Sequence, residues 1–270
     1  MPTGRRSRLT RSRIIAGVIV VLIGIAGMVL WDWNERTRFP GDEDLLTFFQ
    51  ATAMAGPGGG LADTVPFRGP LRIWLPPEIK PGAGGLSSAP LAATIDRSLP
   101  VFAAITGLQI SRVELEATAN VALRLEDDGK GPDLVVRGRQ AAGMTTGADI
   151  VVDLGDLLTS HDSNCLNRKD LCVGDDAVLG PLRARVFSGM VQVLGLQGRA
   201  PAGMPSVLDG SNWPTAHDLG ALALLYHPLV RGAAGPIARL DAAQQVMAEW
   251  PEFARMADFR TYYRVPSDED

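Results

Sequence analysis

The segment IIAGVIVVLIGIAGMVLW, residues 14–31, contains no charged side chain, and MPTGRRSRLTRSR before it carries Arg5, Arg6, Arg8, Arg11 and Arg13 and no acid. Eighteen residues at helical rise reach about 27 Å, close to the roughly 30 Å hydrocarbon core of a bilayer. The segment is therefore expected to cross a membrane, with the Arg cluster cytoplasmic and Trp31 and Trp33 at the opposite interface. A cleavable signal peptide is the rival reading, because Gly24-Ile25-Ala26 is a small-x-small sequence. The apolar run continues through Met28-Val29-Leu30 beyond that point, which favours a retained signal anchor. On either reading residues 34–270 lie outside the cytoplasm. The expected location is the cell inner membrane, crossed once, with the C-terminal domain periplasmic and the membrane itself a partner through residues 14–31.

That placement sets how the two cysteines are read. Cys165 and Cys172 stand seven positions apart in NCLNRKDLC, and in an oxidising compartment such a pair closes a small loop. A disulfide is favoured over two independent thiols. A metal reading would use His161, Cys165 and Cys172 with Asp175 or Asp176, but the spacing matches no common zinc pattern. Hydrophobic content of 46% with 21% charged residues fits a folded globular domain. A net charge of −4 gives no electrostatic support to nucleic-acid binding.

Five regions follow from the pattern: a basic cytoplasmic segment 1–13, the anchor 14–31, a connector 32–69, a domain 70–232, and a C-terminal helix and tail 233–270. Within the connector an apolar patch at Leu45–Phe49 is expected to form a helix packed on the domain, before a flexible Gly-Pro run at 56–60. From residue 70 the pattern is domain-like. LRIWL (71–75) alternates between prolines, as a strand does. Residues 89–108 place Leu91, Ile95, Leu99, Phe102 and Ile105 at helical spacing. Pro100 is expected to bend or divide that helix, and Gly107 to stop it. QISRVELE, NVALRLED, DLVVRG and ADIVVDLG, between 109 and 155, read as strands. A helix over about 178–197 follows the cysteine loop. TAHDLGALALLYHP (215–228) reads as another helix, with Thr215 as N-cap and Asp218 completing a capping box. LDAAQQVMAEW (240–250) reads as a terminal helix. The order predicts an α/β (α+β) domain: a twisted mixed sheet against two or three helices.

The helix over 178–197 ends in SGMVQVLGLQG (188–198). Metzincin zinc proteases carry H-E-x-x-H-x-x-G-x-x-H followed by a Met-turn. Two His four apart reach one ion from one helix face, the Glu acts as general base, and the Gly turns the chain so that the third His reaches the ion. With Gly195 as the turning residue, Ser188 and Gln192 fall at the first two His positions. Gly189 falls at the Glu position and Gly198 at the third His position. Val193, Leu194, Gly195 and Leu196 keep the apolar and turning part, and Met204-Pro205 follows at a Met-turn distance.

These residues, with the helix TAHDLGALALLYHP and the order of elements upstream, resemble a bacterial envelope family with a degenerate metzincin-like (zinc metalloprotease-like) domain. The resemblance covers about 70–230. It implies a metzincin-like fold, a cleft along the helix 178–197, and an edge strand able to pair with an extended peptide; ADIVVDLG is the expected edge. It supplies no activity, since the residues at 188, 189, 192 and 198 are not those the chemistry needs.

No other residues restore the site. His217 and His227 are ten positions apart, about 15 Å along a helix and pointing about 80° apart, so they cannot share an ion. His217 is expected near the helix surface, and His227 at the helix end, where a cation suits the dipole. Arg185, Ser188 and Gln192 share one side of their helix and are expected to face the degenerate cleft. Ser188 has no base placed to activate it. The expected binding residues are Arg185, Ser188, Gly189, Gln192 and Gly198, with Met204 and Pro205 as a Met-turn-like loop, and with no catalytic residue, metal or cofactor. The leading expectation is a non-catalytic binding or scaffold module of the cell envelope, with an envelope protein or peptide as partner. The alternative is an envelope hydrolase using a non-zinc or unrecognised site, for which Asp153, Asp156, Asp175 and Asp176 are hard-cation donors without a loop signature.

Overall fold

A computed structural model describes residues 42–55, 61, 66–79, 87–126, 134–141, 144–154 and 176–249. The apolar run 14–31, His161, Cys165, Cys172, Asp156 and Asp175 lie outside the described residues. Among the described residues no helix is long and apolar enough to cross a membrane. The chain divides into Met1–Arg38 and Phe39–Asp270, and all described residues belong to the second unit.

Helix α1 (Asp42–Ala53) starts with three acids, which suit the positive end of a helix dipole. Leu45, Phe48, Phe49, Thr52 and Ala53 are each 0% exposed, a spacing that draws one apolar stripe along the helix. The Leu45–Phe49 patch thus forms a helix packed into the core, as its composition predicted. Strand β1 (Leu71–Trp74) alternates, with Leu71 and Ile73 buried and Arg72 exposed. Helix α2 (Ala89–Thr106) buries Leu91, Ile95, Leu99, Phe102 and Thr106 and ends at Gly107 with φ 66°. The Gly107 amide donates to the Ala103 carbonyl at 2.9 Å. Pro100 does not divide α2. It lies with Asp96 on the exposed side, so the carbonyl that a proline leaves without an amide partner falls on the wet side of the helix.

Strands β2 (Ile110–Val113), β3 (Val121–Glu126), β4 (Leu134–Ala141) and β5 (Met144–Asp153) complete a mixed sheet in the order β2-β1-β3-β5-β4. The pairs β1–β2, β1–β3 and β3–β5 are parallel, and β4–β5 is antiparallel with a register shift between Arg139 and Gln140. A parallel neighbour requires a crossover, and α2 supplies the one from β1 to β2. Helix α3 (Asp176–Val193) lies on the same side of the sheet as α2, with the Phe102 and Phe187 rings 6.3 Å apart. Helices α4 (Ala216–Tyr226), α5 (Pro228–Gly232) and α6 (Pro236–Glu249) close the domain, and Ala243, Val246 and Met247 of α6 join the core.

One strand assignment is corrected. ADIVVDLG is not an edge: β5 lies between β3 and β4, and β4 is the outer strand. The short β4–β5 hairpin swings β4 outward, leaving β5 paired on both sides. Ala148, Ile150, Val151 and Val152 are consequently buried, the near-continuous apolar run typical of an interior strand.

Leu45, Phe48, Phe49 and Met54 are at most 1% exposed. Full burial of such side chains is worth about 1.5–3 kcal/mol each before relaxation of the unfolded chain is counted. A fragment beginning at residue 66 should therefore fail to give a cooperative thermal transition, whereas one beginning at residue 39 should give one. Circular dichroism melts of the two fragments decide the point.

Candidate functional site

Helix α3 is apolar on nearly every side. Leu182, Val186, Phe187, Met190, Val191, Val193 and Leu194 are all buried. The expected division into a polar side and an apolar side is therefore too simple: Ser188 is only 7% exposed, while Arg185 and Gln192 are half-buried. Ser188 and Gln192 do come together, one turn apart, with Gln192 Nε2 donating to Ser188 Oγ at 3.2 Å. Gly189 faces the sheet instead of a cleft. A Cβ there would sit 2.4 Å from Ile150 Cγ2 of β5, so the absence of a side chain is what lets α3 lie against the strand.

Beyond Val193 the chain reverses through a Schellman turn. Gly195 has φ 120°, its amide donates to the Gln192 carbonyl at 3.0 Å, and the Leu196 amide donates to the Val191 carbonyl at 2.9 Å. These are the two bonds that define the motif, and Leu196 and Val191 supply its apolar contact, each 0% exposed. Tyr226 Oη of α4 donates to the Leu194 carbonyl at 3.1 Å. Burial pushes that phenol well above its ordinary range. Gly195 thus turns the chain as the sequence frame predicted.

Gly198 does not join Ser188 and Gln192 in a polar cluster. Its amide donates to the Thr52 carbonyl of α1 at 2.7 Å, and a Cβ at this position would meet the Ala51 carbonyl oxygen at 1.9 Å. No side chain fits there. Met204, half-buried, packs against the core, and its amide donates to the Pro201 carbonyl at 3.1 Å. The Pro205 carbonyl accepts from Thr215 Oγ1 at 2.7 Å.

The strongest polar feature of the region was only half read from the sequence. Thr215 and Asp218 form the expected capping box, but the Asp218 carboxylate, 0% exposed, reaches further. Oδ1 accepts from Ser206 Oγ at 2.5 Å, and Oδ2 accepts from the amides of Val207 at 3.1 Å and Thr215 at 2.8 Å. Ser206 is itself the N-cap of the 3₁₀ turn Val207–Asp209. One carboxylate therefore ties the Met204-Pro205 loop to the start of α4. Burial pushes Asp218 up to about 6, against the opposing pull of its bonds from Ser206, Thr215 and Val207.

One histidine expectation is corrected. His217 is 9% exposed and packs on Phe48, with ring centroids 5.3 Å apart. Its surroundings come from α1, far away in the sequence. Burial pushes it below its ordinary value, with Asp44 opposing. His227 stands at the end of α4, as its position predicted, and there it also caps the start of α5. Burial lowers it as well, and its Nδ1 accepts from the Leu229 amide at 3.4 Å, which needs an unprotonated nitrogen. Among the described residues no group of three or more His, Cys, Asp or Glu side chains is placed to hold a metal ion.

The Asp218 geometry has a pH consequence. An acid that binds its proton more tightly when folded contributes stability that is fully present below its unfolded pKa, roughly 4, and is lost as pH rises through the folded value. His217 works in the opposite sense, its contribution being lost as pH falls through its lowered folded value. In thermal melts the stability advantage of the native chain over Asp218→Asn should accordingly shrink between pH 4 and pH 7. At pH 7 the variant should still be about 1–3 kcal/mol less stable, because an amide cannot accept on both sides.

No family model and no curated protein matches this chain. Among solved structures, one described as the GM1-bound form of the ECX AB5 holotoxin is similar over 66% of this chain and 79% of that chain, at 12% identity and a TM-score of 0.31. That likeness is too slight to carry an argument about fold or function.

Proposed function

We propose that this chain is a membrane-anchored, extracytoplasmic metzincin-like domain without the zinc ligands, acting as a non-catalytic binding module of the cell envelope. What supports the reading is a helix, turn and loop in the order the metzincin motif would have, with other residues at the ligand positions of the sequence. Helix α3 turns at Gly195, a Met-Pro loop follows, and Asp218 ties that loop to α4. The sequence positions that align with the three His of the metzincin motif hold Ser188, Gln192 and Gly198. Ser188 and Gln192 satisfy each other by a hydrogen bond. A hydroxyl whose neighbour is an amide has no base to activate it, so this pair supports recognition, not bond cleavage.

The mode of recognition follows from the sheet. α3 packs beside β4 and β5, and β4 is the outer strand among the described residues. An extended peptide pairing with β4 would add a strand, its main chain supplying affinity and side-chain pockets supplying specificity. Arg185, Ser188 and Gln192 are polar groups on the adjoining helix.

Residues 34–270, purified and screened against a library of extended peptides, should bind without cleaving, and peptide binding should slow amide exchange across Leu134–Gly138. Stoichiometric zinc together with peptide cleavage would overturn the reading.

A further inference from the structure

Resting on that metzincin-like reading, we infer that α1 substitutes for the missing third ligand by clamping the chain just beyond the Gly195 turn. In the catalytic frame the residue three positions after the turning Gly bonds to the ion, and that bond ties the reversed chain to the helix. Without an ion the chain after such a turn needs another anchor.

The anchor is the C-terminal end of α1. The last carbonyls of a helix have no amide partner within it, and Thr52 belongs to that set in α1. The Gly198 amide donates to the Thr52 carbonyl at 2.7 Å. Backbone meets backbone so closely that the space a Cβ would fill is taken by the Ala51 carbonyl oxygen. The space that a side chain at residue 198 would occupy is thus filled by main chain from another helix.

α1 is held firmly enough to act as a clamp. Leu45, Phe48, Phe49, Ala53 and Met54 are at most 1% exposed. Leu45 rests on α4 at Gly220, where a Cβ would approach Leu45 Cδ1 to 2.8 Å, and Phe48 packs on His217. One helix therefore grips both the start of the loop leading out of α3, at Gly198, and the helix at its far end, at Gly220. The Asp218 network fastens that same far end from the other side.

Native-state hydrogen exchange on the full chain tests the clamp. The Gly198 amide should exchange as slowly as the amides of Leu45 to Phe49. Phe48→Ala should speed Gly198 and α1 together, on the order of 100-fold. Exchange of Gly198 at the rate of the exposed Gly203 in the unaltered chain would overturn the clamp, whether or not the variant folds. So would faster exchange in α1 that leaves Gly198 untouched. As a second measurement, the Ser188→His, Gln192→His, Gly198→His triple variant should melt below the native chain and show no tetrahedral cobalt(II) absorption. A triple variant binding cobalt(II) through three histidines at the native Tm would overturn the inference. Slow Gly198 exchange in a chain that binds no peptide would leave the clamp standing and count against the proposed function.

Discussion

The burial of α3 on nearly all sides is the constraint from which the rest of the architecture follows. A helix that buries apolar side chains on most of its faces must be covered on most of them, and this one packs against the sheet, α2 and the loop that follows it. Gly189 lets α3 settle against Ile150. Phe187 reaches Phe102 on α2 and Trp213 in the following loop. With α3 fixed in this way, the turn at Gly195 and the path beyond it have little freedom.

The polar groups of the region act as fasteners between apolar parts. Asp218 gathers three donors from two segments and takes the cost of full burial in return. Thr215 caps α4 while holding the Pro205 carbonyl. Tyr226 reaches the Leu194 carbonyl just beyond the end of α3. A buried polar group without partners costs about 1–3 kcal/mol, so each of these bonds also discriminates against misplaced loops. Around Ser188 and Gln192 the polar contact is local, a single bond across one helical turn.

Local chemistry was legible in the sequence, and distant contact was not. The Gly107 stop, the Thr215–Asp218 box and the turn at Gly195 depend on residues within a few positions of one another, and each formed as its residues predicted. The Ser188–Gln192 bond is likewise a one-turn relation. By contrast, the seat of Gly198 on α1 joins residues nearly 150 positions apart by backbone contact, which leaves no pattern beyond the bare glycine. His217 was misjudged because α1, which covers it, lies in a segment read as connector. Ser206 carried no signal at all, being one small polar residue in a polar loop. DLVVRG and ADIVVDLG both read as strands, and a strand pattern alone does not say which of two neighbours lies outside. The uninterrupted Ile150-Val151-Val152 of β5 was the available clue.

The irregularity between Arg139 and Gln140 limits what β4 can do. The pairing runs regularly from Leu134↔Val152 to Arg139↔Gly147 and then skips one residue of β5, to Gln140↔Thr145. Such a bulge interrupts the ladder locally, so the regular stretch of β4 is Leu134–Arg139, about 20 Å at strand rise. A guest strand can match only a handful of consecutive residues before its hydrogen bonds fall out of step. Long, indiscriminate edge-to-edge stacking of copies is thereby discouraged.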